Sequence, residues 1–298
     1  MKEKIKNIIK TGISLLWHGY YTMAWKLGGG KAPENCLNKT PRETPVVVTL
    51  TSFPGRIHLV GHTLRTILNQ KSLRPDGVEL WLAESQFPNK EADLPEKLLA
   101  LKACGLAICW CEDTRSYKKL IPALLKHPDK ILVTADDDVY YRRDWLEKLY
   151  AGYEKEPTCV SCHRATKFYL KNGEFATIGG GRHFYPTPSY RNKLVGIGGV
   201  LYPVGILCPE VTDAEKFTAL APTNDDIWFW FMAIRNDVKI HVVADHFPRP
   251  VAVFGAERTA TLTSVNDRGE KKFWQQFDKL LTHYPDVEEK LRGEAEGF

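Results

Sequence analysis

Three consecutive aspartates, Asp136, Asp137 and Asp138, follow the apolar run "KILVTA" at residues 130–135. Carboxylates that are held this close raise one another's pKa unless a cation lies among them. A solvated acidic turn is one explanation. A divalent metal site is the other, because Mg²⁺ and Mn²⁺ prefer carboxylate oxygens and are often bound together with phosphate groups. The pattern therefore raises the question of which cation balances these charges.

A second acidic pair, Asp225 and Asp226, precedes the aromatic segment "IWFWFMAI" at residues 227–234, whose apolar residues have helical spacing. A carboxylate at a helix N-terminus is favoured for structural reasons alone, since it can cap free N–H groups and faces the positive end of the helix dipole. One cap explains one aspartate, and the pair exceeds that need. Asp226, and after it Asp225, is therefore a candidate general base that accepts the proton of an attacking hydroxyl group.

The segments that must position these carboxylates alternate between two patterns. Short β-branched or apolar runs at 45–53, 77–83, 106–111 and 130–135 predict strands, and the segments between them have helical spacing. This alternation predicts an α/β fold with a mostly parallel, doubly wound sheet. Ligands bind such sheets beyond the carboxyl ends of the strands. The stretch "TSFPGR" at 51–56 and the three aspartates both follow predicted strands, so we expect them at this edge.

The composition is that of a soluble globular protein. The chain has 298 residues, 43% hydrophobic and 26% charged residues, and a net charge of +5, which does not indicate nucleic acid as a partner. The seven cysteines are an odd number, which excludes a fully paired disulfide framework and suits reduced thiols in the cytoplasm. The stretch "CVSCH" at 159–163 matches a haem-attachment pattern, but without an evident export signal or a second cysteine pair we expect neither haem nor zinc.

Six sequence blocks carry a resemblance to a known family. They are "VVVTLTSFPGRI", "DTRSYKKLIPAL", "TADDDVYY", "CHRA", "GIGGVLYP" and "LAPTNDDIWFW", which together cover roughly residues 45–235. In this order they resemble bacterial glycosyltransferases of cell-surface polysaccharides (capsule or lipopolysaccharide) that have the GT-A fold. The resemblance implies a Rossmann-like, mostly parallel sheet flanked by helices, in a single catalytic domain over 45–265. A basic, aromatic piece at 1–44 precedes it, and a helix and tail at 266–298 follow.

The resemblance also implies roles for the two acidic groups. The enzyme would move a sugar, with inversion, from a nucleotide-sugar that we expect to be a UDP-sugar. Mn²⁺ or Mg²⁺ would be bound by Asp138 and Asp136, with His246 as a further ligand late in the chain. Asp136 would also approach the ribose, and Asp137 would either support the site or contact the sugar. The acceptor would be a surface glycan or a lipid-linked saccharide.

A set of polar residues and glycines near the predicted strand ends would bind the nucleotide-sugar. By resemblance these residues are Thr51, Ser52, Arg56, Asp113, Lys118, Lys119, Asp136, Asp137, Gly198 and Gly199. For Arg56 the alternative is a loop-capping role, and for the two lysines it is a solvated helix start. Two aromatic residues near the candidate base, Trp228 and Trp230, either stack on a sugar or fill the core.

The N-terminal piece has a charge and aromatic pattern of its own. Lysines at positions 2, 4, 6 and 10 precede an apolar, aromatic stretch from Ile13 to Trp25, which is shorter than the about 20 apolar residues that span a bilayer. This pattern suits a helix that lies in a membrane interface, and it equally suits a helix that packs on its own domain. The first interpretation predicts a cytoplasmic protein held peripherally at the membrane face, near a lipid-linked acceptor.

The sequence leaves two alternative functions open. A non-catalytic carbohydrate- or nucleotide-binding protein on the same fold would need no base, which the Asp225–Asp226 pair argues against. A Mg²⁺-dependent phosphatase would carry its aspartates after the first strand of the core, whereas three predicted strands precede Asp136 here.

Overall fold

The computed structural model of this chain describes residues 12–13, 15–20, 23, 36–178, 185, 187–243, 251–256 and 270–294. The strands are β1 (Val46–Thr51), β2 (Gly77–Ala83), β3 (Leu106–Cys111), β4 (Ile131–Thr134), β5 (Val139–Tyr140), β6 (Val160–Cys162), β7 (Ala165–Lys171), β8 (Glu174–Ile178), β9 (Asn192–Leu194), β10 (Val200–Tyr202), β11 (Ile240–Val242) and β12 (Val251–Ala252). The α-helices are α1 (Val60–Leu68), α2 (Glu96–Leu99), α3 (Ile121–Lys126), α4 (Trp145–Lys155), α5 (Ala214–Leu220), α6 (Asp225–Arg235), α7 (Glu270–His283) and α8 (Pro285–Gly293).

Seven strands form the central sheet, in the order β11-β6-β10-β4-β1-β2-β3. Strand β1 pairs in parallel with β2 and β4, and β2 pairs in parallel with β3. Only β10 in this sheet runs antiparallel to its neighbours, β4 and β6, while β11 is parallel to β6. The expected α/β class with a mostly parallel sheet and flanking helices is thus confirmed. Smaller sheets, β8-β7-β9 and β12-β5, lie beside it.

The strand order reverses between β1 and β4. The chain moves outward from β1 through β2 to β3, and then returns to the other side of β1 to form β4. The loops after β1 and β4 therefore leave the sheet in different directions and open a crevice at its carboxyl edge. Asp136 follows β4 and Ser52 follows β1, so both predicted motifs lie at this crevice.

The apolar runs of the strands are continuous because both faces of the sheet are covered. Val46, Val48 and Leu50 of β1 belong to a core that includes α1 and α4. Val47 points the other way, into a second core that includes α6 and α7. A strand with one polar face would alternate apolar and polar residues, and β1 has no such alternation in its first three residues.

The second core joins α6 to the C-terminal helices. Trp228 and Trp230 of α6 are fully buried, and their indole N–H groups donate to backbone carbonyls of Val211 and Tyr190. The alternative that either tryptophan stacks on a sugar is therefore wrong. Phe277 of α7 stacks on Trp230, with 6.1 Å between the ring centroids and 12° between the planes.

Two predicted helices are interrupted where backbone chemistry requires it. The helix expected around Pro122 is a 3₁₀ turn at Arg115–Lys119 followed by α3, whose first turn contains the proline. Proline has no N–H group, so it fits the first helical turn and breaks a helix interior. The helical segment predicted between β2 and β3 contains α2 and continues as a 3₁₀ helix to Cys104, and Gly105 follows in the left-handed region at φ 100°.

The described residues between positions 12 and 23 are helical, and this segment packs on the domain. Trp17 packs against a small apolar cluster that contains Tyr140 and Val253. His18 Nδ1 lies 2.9 Å from the hydroxyl of Tyr140. Five apolar side chains of this segment are exposed: Ile13, Leu15, Leu16, Tyr20 and Met23. Among the described residues, no helix has the length and apolar character that crossing a membrane requires.

We expect Phe277→Ala to lower the free energy of unfolding by about 3–5 kcal/mol, because a fully buried ring is removed from the second core. Chemical denaturation followed by tryptophan fluorescence measures this change. Leu125→Ala, at a residue that is 68% exposed on α3, is the control and should change stability little. Equal effects of the two substitutions would contradict the placement of α7 in the core.

Candidate active site

The middle aspartate, Asp137, is a buried anchor of the turn after β4. Its Oδ2 accepts a hydrogen bond from Ser52 Oγ at 2.6 Å, and its Oδ1 lies 2.6 Å from Arg56 Nη1. Its backbone carbonyl accepts from Thr63 Oγ1 at 2.9 Å. The structure thus brings together three predicted nucleotide-sugar residues, but Asp137 and Ser52 direct these polar atoms at each other. Their contact with a donor stays a prediction.

The guanidinium of Arg56 supplies part of the missing counter-charge. Besides Asp137, it lies 3.0 Å from Asp138 Oδ2. Burial alone would lower the pKa of Arg56, but the carboxylates of Asp137 and Asp138 outweigh it and raise the pKa. Arg56 follows β1 and Asp138 follows β4, so this ion pair also holds the two sides of the crevice together.

The ammonium group of Lys119 is the second counter-charge and the centre of the cluster. Its Nζ lies 2.7 Å from Asp225, and 3.5 Å from both Asp136 and Asp226. Lys119 is buried, which alone would lower its pKa, but the three carboxylates raise the pKa well above its ordinary value. A single cation therefore joins the aspartate turn after β4 to the acidic pair of α6, which are distant in the sequence.

The adjacent residue, Lys118, has a different partner. It is buried and pairs with Asp113 just beyond β3, so the alternative of a solvated helix start is wrong for both lysines. Burial would raise the pKa of Asp113, yet hydrogen bonds from Lys118 and the backbone lower it. Gln86 Nε2 also donates to this carboxylate, at 2.7 Å. Thr51 donates to the backbone carbonyl of Trp81, at 2.8 Å. Asp113 and Thr51 lie at the carboxyl ends of β3 and β1.

Neither member of the acidic pair caps α6. The cap is Asn224, whose side-chain oxygen accepts from the Ile227 N–H at 3.1 Å. Asp226 instead accepts from the Gly196 N–H at 2.9 Å through Oδ2. Burial would raise its pKa, but Lys119 and Lys193 lower it, so Asp226 is ionised at neutral pH. Asp225 is more deeply buried, with 9% of its side chain exposed against 21% for Asp226.

The glycine-rich loop before β10 approaches the cluster at a position that the sequence did not single out. A Cβ atom at Gly196 would lie 2.7 Å from Asp226 Oδ1 and 2.8 Å from Lys119 Nζ. The predicted glycines face another neighbour: a Cβ at Gly199 would lie 2.5 Å from the ring of Trp145, and the Gly198 carbonyl accepts from that indole. Gly199 has φ 92°, which also favours glycine.

Lys193 is a second residue that sequence reasoning missed. It lies on β9 and is buried, which lowers its pKa, while the charges of Asp226 and Asp225 oppose that shift. Lys193 belongs to no recognisable motif, and a lysine in a short strand is ordinarily expected at the surface. Only the packing of the three-stranded sheet against α6 brings it to the cluster.

Among the residues that the structure describes, the side chains of the cluster carry an excess of negative charge. Five carboxylates, from the turn and from α6, face three basic side chains, those of Arg56, Lys119 and Lys193. Burial raises the pKa of Asp136, and despite Lys119 the neighbouring carboxylates add to this effect, so that the pKa reaches about 7. Carboxylate oxygens with unbalanced charge are a donor set that suits Mg²⁺ or Mn²⁺.

The described residues contain no group of three or more His, Cys, Asp or Glu side chains placed to hold a metal ion. The predicted third ligand, His246, lies outside the described residues. Asp136 and Asp138 keep 30% and 19% of their side chains exposed, and metal binding by these two carboxylates stays a prediction.

We expect Lys119→Met to lower the free energy of unfolding by roughly 3–5 kcal/mol, because it leaves buried carboxylates without their cation. Urea denaturation measures this change. Lys119→Met combined with Asp225→Asn should regain part of the loss, since it removes the closest unpaired charge. Lys90→Met is the control, because Lys90 and its partner Glu84 are both more than half exposed. A Lys119→Met protein as stable as the control would show that the cluster does not depend on Lys119.

Comparisons with known proteins find similarity only to solved structures. No family model matches the chain, and no curated protein matches it. A mannosyltransferase from Pyrobaculum calidifontis, solved with GDP-Man and Mn²⁺, has a TM-score of 0.48 at 17% identity, over 93% of this chain and 74% of that chain. S. aureus TarS 1–349, also solved with UDP, has a TM-score of 0.46, with 12% identity in one structure and 13% in the UDP complex.

The alignment with TarS covers 68% of this chain and spans 58% of that chain. A CMP:2-keto-3-deoxy-manno-octonic acid synthetase complexed with CTP has a TM-score of 0.40 at 13% identity, over 67% of this chain and 89% of that chain. At these identities and TM-scores the similarities do not support a conclusion about function. Any functional conclusion must come from the residues of the cluster.

Proposed function

We propose that this protein is a metal-dependent, inverting glycosyltransferase that moves a sugar from a nucleotide-sugar, expected to be a UDP-sugar, to a surface-glycan or lipid-linked acceptor. The observation that carries the proposal is the meeting of two accessible carboxylates, Asp136 and Asp226, on the single ammonium of Lys119 at the carboxyl edge of the sheet. One belongs to the predicted donor side and the other is the predicted base. A glycosyl transfer needs both groups at one point.

The donor side is formed by the ends of β1, β3 and β4. Asp138 and Asp136 would hold the metal ion, which when bound neutralises the charge that develops on a leaving nucleoside diphosphate. Arg56 keeps Asp138 oriented through the 3.0 Å ion pair. Asp113, held by Lys118 and Gln86 beyond β3, would contact the base of the nucleotide, and its position at the same edge of the sheet supports this role.

Asp226 acts as the general base in this proposal. Its Oδ2 accepts the hydrogen bond from the Gly196 N–H, and its other oxygen, Oδ1, lies 3.5 Å from Lys119 Nζ. Oδ1 accepts the proton of the acceptor hydroxyl as that oxygen attacks the sugar carbon. Its low pKa keeps Asp226 ionised before the attack, and the nearby ammonium restrains its basicity. Asp225 supports this geometry by holding Lys119 from the buried side.

The non-catalytic alternative predicts donor binding without turnover. A protein that only binds would not need an ionised, partly exposed carboxylate that is relieved of the capping role by Asn224. The phosphatase alternative needs an aspartate after the first core strand, and β1, β2 and β3 precede Asp136 here.

The first experiment is a thermal-shift panel with UDP, GDP, CMP and several UDP-sugars, each with Mn²⁺ and with EDTA. We expect a UDP compound to stabilise the protein only when metal is present, and Asp138→Ala to abolish that shift. Asp129→Ala, at an exposed residue before the other end of β4, is the matched control and should keep it. No shift with any nucleotide would contradict the proposed donor site.

Asp226→Asn separates catalysis from binding. It should retain the metal-dependent thermal shift and lose about 10²–10⁴-fold in the hydrolysis or transfer rate of the donor, because the general base is removed. A wild-type protein that binds the donor and never turns it over would favour the non-catalytic alternative.

We also propose that the protein is cytoplasmic and binds the membrane face peripherally through the N-terminal helix. The exposed residues Ile13, Leu16, Tyr20 and Met23 recur at intervals of three or four, so they share one helical face. Lysines at positions 2, 4, 6 and 10 precede this segment in the sequence, and their positive charge suits an anionic lipid surface. His18, on the opposite side, lies 2.9 Å from the Tyr140 hydroxyl, and Trp17, at the edge of the exposed face, packs on the domain.

We expect the protein to co-float with vesicles of phosphatidylcholine and phosphatidylglycerol and not with phosphatidylcholine alone, and to be released by high salt. Leu16→Asp should reduce the bound fraction several-fold. Leu125→Asp is the matched control, because Leu125 is similarly exposed on another helix. Equal binding of Leu16→Asp and the control would contradict the proposed surface.

A further inference from the structure

Residues 36–38 form a strap across the amino ends of the parallel strands. The Cys36 N–H donates to the Cys104 carbonyl at 2.8 Å, just before β3, and the Asn38 N–H donates to the Pro75 carbonyl at 2.8 Å, just before β2. Leu37 fills the space above Gly105, where a Cβ atom would lie 2.5 Å from its Cγ. The strap therefore lies at the opposite end of the sheet from the acidic cluster.

The strap brings two thiols into contact. Cys36 is 8% exposed and Cys104 1% exposed, neither is in a disulfide, and their side chains are hydrogen-bonded to each other. The 2.8 Å hydrogen bond from the Cys36 N–H to the Cys104 carbonyl, with standard backbone bond lengths, keeps the two Cα atoms within roughly 6.7 Å of each other. That separation lies within the roughly 4.4–6.8 Å over which a disulfide closes without backbone movement.

We propose that Cys36 and Cys104 are a latent disulfide pair, which closes when the folded protein meets a low-molecular-weight disulfide such as oxidised glutathione. This site is independent of the proposed transferase activity. The Cys36 sulfur attacks one sulfur of oxidised glutathione, that S–S bond breaks, and one glutathione leaves. The Cys104 sulfur then attacks Cys36, and the second glutathione leaves. Two protein thiols are oxidised, one disulfide is reduced, and the two thiol protons end on the two glutathiones.

The environment of the pair sets the order and the speed of this exchange. Cys36 is the more exposed thiol, so it meets the oxidant first. Burial and the neighbouring thiol raise the pKa of Cys104 to about 12, so its thiolate is scarce at neutral pH and the closing step is slow. The bond would close a long loop that contains β1, α1 and β2, which restricts the unfolded chain and stabilises the fold.

Peptide mass mapping of the folded, full-length protein after incubation with oxidised glutathione tests the pair. We expect a linked peptide that joins Cys36 to Cys104 and is two hydrogens lighter than the two separate peptides. It should form faster at pH 8.5 than at pH 7. The melting temperature should rise by several degrees, and dithiothreitol should reverse both changes. The other five cysteines serve as internal controls, and we expect no link between Cys159 and Cys162.

Cys36→Ser and Cys104→Ser should each remove the linked peptide and the rise in melting temperature on oxidation. If a variant folds poorly, the mapping of the wild-type protein still decides the matter. Two thiols that stay reduced, or that carry separate glutathione adducts under conditions where glutathione reaches Cys36, would overturn the proposal. So would a link from either cysteine to a different partner.

Discussion

The buried ammonium of Lys119 is the interaction on which the rest of the site depends. A charge removed from water is costly unless it is paired, and here three carboxylates from two distant segments pair with it. The 3₁₀ turn after β3, the aspartate turn after β4 and the start of α6 therefore have to converge. Gly196 has no side chain because this convergence leaves no space for a Cβ atom.

Arg56 makes a parallel arrangement on the other side of the crevice, and the two cations divide the three consecutive aspartates between them. Asp137 has a structural role, because its two side-chain oxygens accept hydrogen bonds from Ser52 and Arg56. Asp136 and Asp138 keep partial exposure and an incomplete neutralisation of charge. Arg56 and Lys119 thus balance part of the negative charge of the three aspartates. The remaining negative charge is what the proposed divalent metal ion would balance.

The two ends of the sheet have different chemistry. Acidic and basic side chains collect at the carboxyl edge, where the strand order reverses between β1 and β4. The amino edge is closed by the strap, with Leu37 on Gly105 and the two thiols in contact. The N-terminal helix contacts β5 and β12, which flank the aspartate turn, through Trp17 and His18. The N-terminal helix therefore contacts the strand that directly follows the three aspartates.

The sequence by itself determined the α/β class, the four parallel strands β1 to β4 and the placement of both acidic motifs at strand or helix ends. These follow from local patterns: apolar runs, helical spacing and charge at the ends of the runs. The partners of Lys118 and Lys119, the cap at Asn224 and the approach of Gly196 and Lys193 were decided by the tertiary structure alone. Each depends on which side chain points inward and on contacts between distant segments, and neither property is encoded in residue type or spacing.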